Sequence, residues 1–140
     1  MWNNIFKDKR VGFTCSCFDL LHAGHILMLK DAKSQCDKLI VGLQTDPTLD
    51  RPEKNKPIQT LKERKIQLEA VKYVDDIFVY DTEEELYHLL KLINPDIRIL
   101  GSDYEDGRYY TGQELNIPIY FHKRNHNYSS TNLRKKACLK

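Results

Sequence analysis

Two histidines spaced for joint action, His22 and His25 in Phe18-Asp19-Leu20-Leu21-His22-Ala23-Gly24-His25, are the residues here best suited to chemistry. They follow a short apolar run, Val11 to Cys17, and open a segment of helical periodicity. Imidazoles at a strand-to-helix junction lie beside unpaired backbone N–H groups, a natural place for phosphate. Gly24 lets a ligand or a neighbouring chain approach the backbone closely. Imidazolium groups at that point would stabilise the charge that builds on a phosphoryl group in transfer. Two other readings compete: histidines that only cap and pack, and a zinc site made with Cys15 and Cys17. Against zinc, the two cysteines alternate within an apolar strand and lack the C-x₂₋₄-C spacing that brings two thiols to one ion.

A second polar group, Arg124-Asn125-His126-Asn127-Tyr128-Ser129-Ser130-Thr131, precedes a short helical segment near the end of the chain. Hydroxyls and backbone N–H groups at a helix start can hold phosphate oxygens, and Arg124 adds a charged fork. Taken alone, Ser-Ser-Thr before a helix is a cap. Lys123, Arg124 and the run Arg134-Lys135-Lys136 could line a local basic pocket, although such a run is also typical of a solvated tail.

The elements that must position these groups alternate along the chain. Strands are expected at Val11–Cys17, Lys38–Leu43, Asp76–Tyr80, Ile97–Leu100 and Ile117–Phe121. A helix is expected from about Gly24 to Cys36, with Ile26, Leu29 and Ala32 on its apolar face. Thr60 with Glu63, and Thr82 with Glu85, have capping-box spacing and start two more helices. The second of these carries the stripe Leu86, Leu89, Leu90 and Ile93 and stops at Asn94-Pro95. Thr48 to Gln59, with Pro52, Pro57, Lys54 and Lys56, reads as an exposed loop. This alternation implies an α/β fold: a single-domain, Rossmann-like, doubly wound parallel sheet of about five strands with helices on both faces. In such sheets ligands sit beyond the carboxyl ends of the strands, at the switch point. Asp19 to His25, Gly101 to Asp103 and Arg124 to Thr131 all fall there.

At 140 residues the chain fits one domain spanning 1–140, with a core over about 10–137. The 41% of hydrophobic residues suffices for a core and argues against disorder. A net charge of +2, with both signs dispersed, argues against nucleic-acid binding by bulk electrostatics. No apolar run is long enough for a membrane span, and Met1-Trp2-Asn3-Asn4 does not begin a signal peptide. A cytoplasmic protein with reduced thiols at Cys15, Cys17, Cys36 and Cys138 is expected.

With these motifs in view, the chain resembles the small cytidylyltransferase-like nucleotidyltransferases from about Val11 to Ala137, and among them most closely the bacterial glycerol-3-phosphate cytidylyltransferases. Their G-T-F-D-x-x-H-x-G-H motif stands here as Ser16-Cys17-Phe18-Asp19-Leu20-Leu21-His22-Ala23-Gly24-His25. Their R-T-x-G-I-S-T-T motif keeps Arg124 and the hydroxyl triplet Ser129, Ser130 and Thr131, without the Gly-Ile pair. The resemblance implies transfer of a cytidylyl group from CTP to a phosphorylated small alcohol with release of pyrophosphate. It places His22, His25 and Arg124 in catalysis. Ser16, Cys17, Phe18, Gly24, Lys72, Asp103 and Ser129 to Thr131 would surround the nucleotide. Lys54, Lys56 and Arg64 would meet the acceptor, Mg²⁺ would accompany the triphosphate without direct protein ligands, and a homodimer is implied. Ser16 and Cys17 depart from the family's Gly-Thr, and its acceptor-pocket tryptophan has no counterpart near Asp81 to Glu83. Two alternatives stay open. One is ATP-dependent transfer to a sugar phosphate, as in heptose-phosphate adenylyltransferases, which Ser130-Thr131-Asn132-Leu133 and Gly101-Ser102-Asp103-Tyr104 also resemble but which generally lack Arg124. The other is a nucleotide-binding module without turnover.

Overall fold

In the computed structural model, which describes residues 9–139, the strands are β1 (Val11–Ser16), β2 (Lys38–Gln44), β3 (Asp76–Tyr80), β4 (Ile97–Gly101) and β5 (Ile119–His122). The helices are α1 (Ala23–Ser34), α2 (Leu61–Glu69), α3 (Glu83–Ile93) and α4 (Ser130–Ala137). All the strands pair in parallel in the order β3-β2-β1-β4-β5, so the chain reverses its direction of winding between β1 and β4. The expected doubly wound α/β architecture is therefore present. The reading of Met1 to Asn4 falls outside the described residues.

The central strands are apolar on both sides because helices cover both faces. Leu39, Val41 and Leu43 of β2 and Ile97 and Ile99 of β4 join Leu29 and Ala32 of α1 and Leu68 of α2 in one core. Phe13, Ile40 and Tyr80 meet Leu86 and Leu90 of α3 in a second core on the opposite face.

Local signals set the ends of the helices. Thr60 and Thr82 each accept from the N3 amide, while Glu63 and Glu85 return a carboxylate to the N-cap backbone. Asn94 closes α3 in the left-handed region at φ 46°. β5 starts two residues later than its apolar run because Pro118 has no N–H for the ladder. The Pro118 carbonyl accepts instead from the Arg98 amide at 2.8 Å. Beyond β4 the chain forms 3₁₀ turns at Ser102–Asp106 and Gln113–Leu115, which periodicity did not indicate.

Candidate active site

The carboxyl ends of the strands open into a cavity of about 830 Å³, within the usual range for a small-molecule site. At its centre His22 is the N-cap of α1. Its Nδ1 accepts from the Gly24 amide at 3.0 Å, while His25 Nδ1 accepts from the His22 amide at 3.1 Å. The histidines thus form a reciprocal cap, with ring centroids 4.0 Å apart. Because each Nδ1 accepts from an amide, each neutral ring carries its proton on Nε2. His22 Nε2 lies 3.2 Å from Ser130 Oγ at the start of α4, which joins the two ends of the site.

Burial lowers the pKa of His25 to about 4, with the neighbouring His22 adding to the shift and Asp19 opposing it. His22 is also lowered, by burial and then by Arg124 and His126. The expectation of imidazolium groups is corrected accordingly: near neutral pH these rings are neutral N–H donors. Gly24 is required by close approach, since a Cβ there would lie 2.8 Å from His22 Cε1 and 3.1 Å from His126 Cε1.

The loop before α1 is strained, with Phe18 at φ 48° and Leu20 at φ 52°, both left-handed. Asp19, between them, fixes this backbone. Its carboxylate accepts from the amides of Ile58 and Gln59 at 2.9 Å each and from Arg134 of α4 at 2.8 Å. Burial alone would raise the pKa of Asp19, but these contacts outweigh it and hold the carboxyl below its ordinary value. The loop before α2 and the last helix are thereby tied to the histidine turn.

The cavity is lined by Ser16, Cys17, His22, Gly24, His25, Lys54, Arg124, Ser129 and Ser130 among the expected site residues. Six others do not line it. Phe18 is buried in the core with its ring 5.4 Å from that of His25, so it supports the histidine from behind. Arg64 is buried and donates to the carbonyls of Cys17, Gln44, Gln59 and Thr45, which makes it a brace for the strand ends. Lys56 and Thr131 border a separate small depression with Arg134. Lys72 lies over the Tyr73 ring, and Asp103 is exposed on the turn after β4. Arg124 donates to the carbonyl of Tyr128 in its own loop.

Several lining residues were missed. Among the described residues, six buried side-chain polar atoms lack a partner, and five belong to residues of this cavity: Arg51 Nε, Glu83 Oε2, Arg98 Nε, His122 Nε2 and His126 Nε2. Buried polar atoms of this kind are satisfied by ordered water or by a polar ligand, and five of the six fall at this one cavity. His122 is oriented by Asp31, whose Oδ2 lies 2.7 Å from His122 Nδ1 and which also accepts from the Tyr120 hydroxyl. The sequence signals were a histidine and an arginine inside otherwise apolar strands. Among the described residues no three His, Cys, Asp or Glu side chains gather to hold an ion, and none of the helices is long and apolar enough to cross a membrane.

Residues 13–136 match the family model described as cytidylyltransferase-like. The bifunctional protein HldE of Wolinella succinogenes is 39% identical over 110 residues, 78% of this chain and 23% of that protein. HldE of Caulobacter vibrioides is 41% identical over 99 residues, 70% of this chain and 20% of that protein. The chain thus spans about a fifth of the length of these curated relatives. Among solved structures, the lipopolysaccharide core biosynthesis protein of Thermoplasma volcanium superposes with a TM-score of 0.68 at 25% identity, covering 86% of this chain and 99% of that one. The pantoate-beta-alanine ligase of Francisella tularensis shares the fold at a TM-score of 0.62 and 22% identity, over 94% of this chain and 67% of that one. Both of these curated relatives are HldE proteins, which corrects the expectation of a likeness closest to glycerol-3-phosphate cytidylyltransferases.

Proposed function

This chain belongs to the cytidylyltransferase-like family of nucleotidyltransferases, and on that premise we propose that it transfers an adenylyl group from ATP to a phosphorylated sugar, releasing pyrophosphate. The observation that carries transfer chemistry is the reciprocal His22–His25 cap facing Ser130 at the start of α4. Likeness to HldE proteins and to a lipopolysaccharide core biosynthesis protein favours ATP and a sugar phosphate over CTP and glycerol 3-phosphate. Arg124 had weighed towards CTP, but its contact with Tyr128 O gives it a role within its own loop.

In this reading an oxygen of the acceptor phosphate attacks the α-phosphorus of ATP, and the bond from that phosphorus to pyrophosphate breaks. No protein nucleophile takes part, so catalysis rests on positioning and on donors aimed at the developing charge. His22 and His25 donate from Nε2 to the transferring group. Ser129, Ser130 and the amides at the start of α4 receive the remaining phosphates. Mg²⁺, bound through triphosphate oxygens, would supply further charge neutralisation. Lys54 would meet the acceptor phosphate. A homodimer in the cytoplasm belongs to the same reading.

The test is pyrophosphate release with ATP and with CTP, each paired with hexose and heptose 1-phosphates and with glycerol 3-phosphate. ATP with a sugar 1-phosphate should give a kcat/KM at least about tenfold above any CTP pairing, a difference of about 1.4 kcal/mol in the barrier. A higher value for CTP with glycerol 3-phosphate would return the assignment to cytidylyl transfer.

A further inference from the structure

The cavity straddles the end of the sheet, and its two sides differ. The histidine turn and the start of α4 form one side. The other lies on the α3 face, where strand alternation carries Arg98: its neighbours Ile97 and Ile99 point into the α1 and α2 core. Arg98 is 3% exposed, and among the described residues no carboxylate lies within ion-pair distance of it. Its Nη1 donates to the Thr111 carbonyl and its guanidinium lies over the Tyr110 ring, with the carbon 5.2 Å from the ring centroid. Gly112, at φ 89°, lets this segment close down: a Cβ there would lie 2.7 Å from Leu90 Cδ1 and 3.2 Å from Arg98 Nη1. The side chain is therefore held in place, while Nε remains without a partner.

A guanidinium keeps its charge inside a protein, and a buried charge without a counter-charge is costly. The ion pair that also lines the cavity, Arg51 with Glu83 at 3.6 Å, is balanced in itself and leaves the charge of Arg98 uncompensated. With Nη1 engaged and Nε without a partner, the remaining edge of Arg98 is the one formed by Nε and Nη2, whose two parallel N–H groups match the two oxygens of a carboxylate. We propose that Arg98 is an acceptor-specificity residue and that the acceptor carries a carboxylate in addition to the phosphate that attacks. This rests on the reading of the chain as a transferase with a phosphorylated acceptor. It narrows that acceptor from a neutral sugar phosphate to a phosphorylated sugar acid.

The test titrates glucose 1-phosphate, glucuronic acid 1-phosphate and glucose 1,6-bisphosphate into the protein alone, so that it does not depend on the nucleotide donor. Glucuronic acid 1-phosphate should bind at least about tenfold more tightly than glucose 1-phosphate. The ratio should fall to within about twofold in Arg98→Gln and be partly kept in Arg98→Lys, which retains charge without the fork. The wild-type ratio stands as a test even if a variant fails to fold, and a purely structural role for Arg98 would leave that ratio near one. Equal binding of the acid and the neutral probe overturns the proposal, as does an unchanged ratio in a folded Arg98→Gln protein. Tighter binding of the bisphosphate than of the uronic acid overturns the carboxylate. Pyrophosphate release is measured separately: a binding preference without turnover under any nucleotide pairing supports the role of Arg98 and contradicts the transferase reading.

Discussion

The two sides of the cavity are built in opposite ways. On the histidine side, His22, His25 and Ser130 come from two short contiguous stretches and satisfy one another, His22 with Gly24, His25 with His22 and His22 with Ser130. His126 Nε2 is the atom beside them left without a partner among the described residues. On the α3 side, Arg51, Glu83 and Arg98 come from distant parts of the chain, and each has a buried polar atom without a partner among the described residues. A side whose donors are fixed before a ligand arrives is suited to a reaction step common to a family. A side whose polar atoms wait for a ligand is suited to choosing between acceptors. Removing groups from the first should therefore lower turnover, and changes on the second should alter acceptor affinity.

The largest effect should come from His25→Ala. Losing one preorganised donor should lower kcat by about 10²–10³, with nucleotide affinity changed far less. Steady-state kinetics with the nucleotide and acceptor varied in turn would measure this, and near-normal turnover would remove the histidines from the transfer step.

Next is acid lability. The folded pKa of His25, about 4, lies below its unfolded value of 6.5, so the unfolded chain takes up the proton first as pH falls. The associated stability is present above pH 6.5 and is lost between 6.5 and about 4, by about 3 kcal/mol at most. Asp19, whose folded pKa is lowered, adds loss in the same direction at more acidic pH. Urea unfolding at pH 7 and pH 4.5 should show a larger drop for the wild type than for His25→Asn. Equal drops would mean that His25 titrates normally in the folded protein.

Asp19→Asn should cost about 2 kcal/mol of stability, since it weakens charge-assisted bonds to two amides and to Arg134. It should lower kcat more than it raises either KM, because it loosens the turn that aims the histidines. A stability loss with unchanged kcat would limit Asp19 to holding the fold.

The smallest effect separates two lysines in one loop. Lys54 lines the cavity and Lys56 does not, so Lys54→Ala should raise the acceptor KM by about fivefold, roughly 1 kcal/mol, and Lys56→Ala by less than about twofold. Equal effects would place the acceptor phosphate away from Lys54.

What the sequence revealed follows the same division. Capping boxes at Thr60 and Thr82, the α3 stripe and the apolar strands were legible because their signals are local and periodic. The HxGH segment was legible because its spacing is itself the cap. The resemblance implied an acceptor role for Arg64, and a helix pattern does not show that this arginine turns inward to four carbonyls. Arg98 and His122 stood in plain view as polar residues within apolar strands, but only the order β2-β1-β4-β5 brings them to the same cleft as His22.

Whether both substrates occupy the cavity together and react with each other is read from exchange of labelled pyrophosphate into ATP. Direct displacement predicts no exchange with ATP and pyrophosphate alone, and exchange once a competent phosphorylated acceptor is added. Exchange in the absence of any acceptor would reveal a covalent nucleotidyl-protein intermediate and exclude direct displacement.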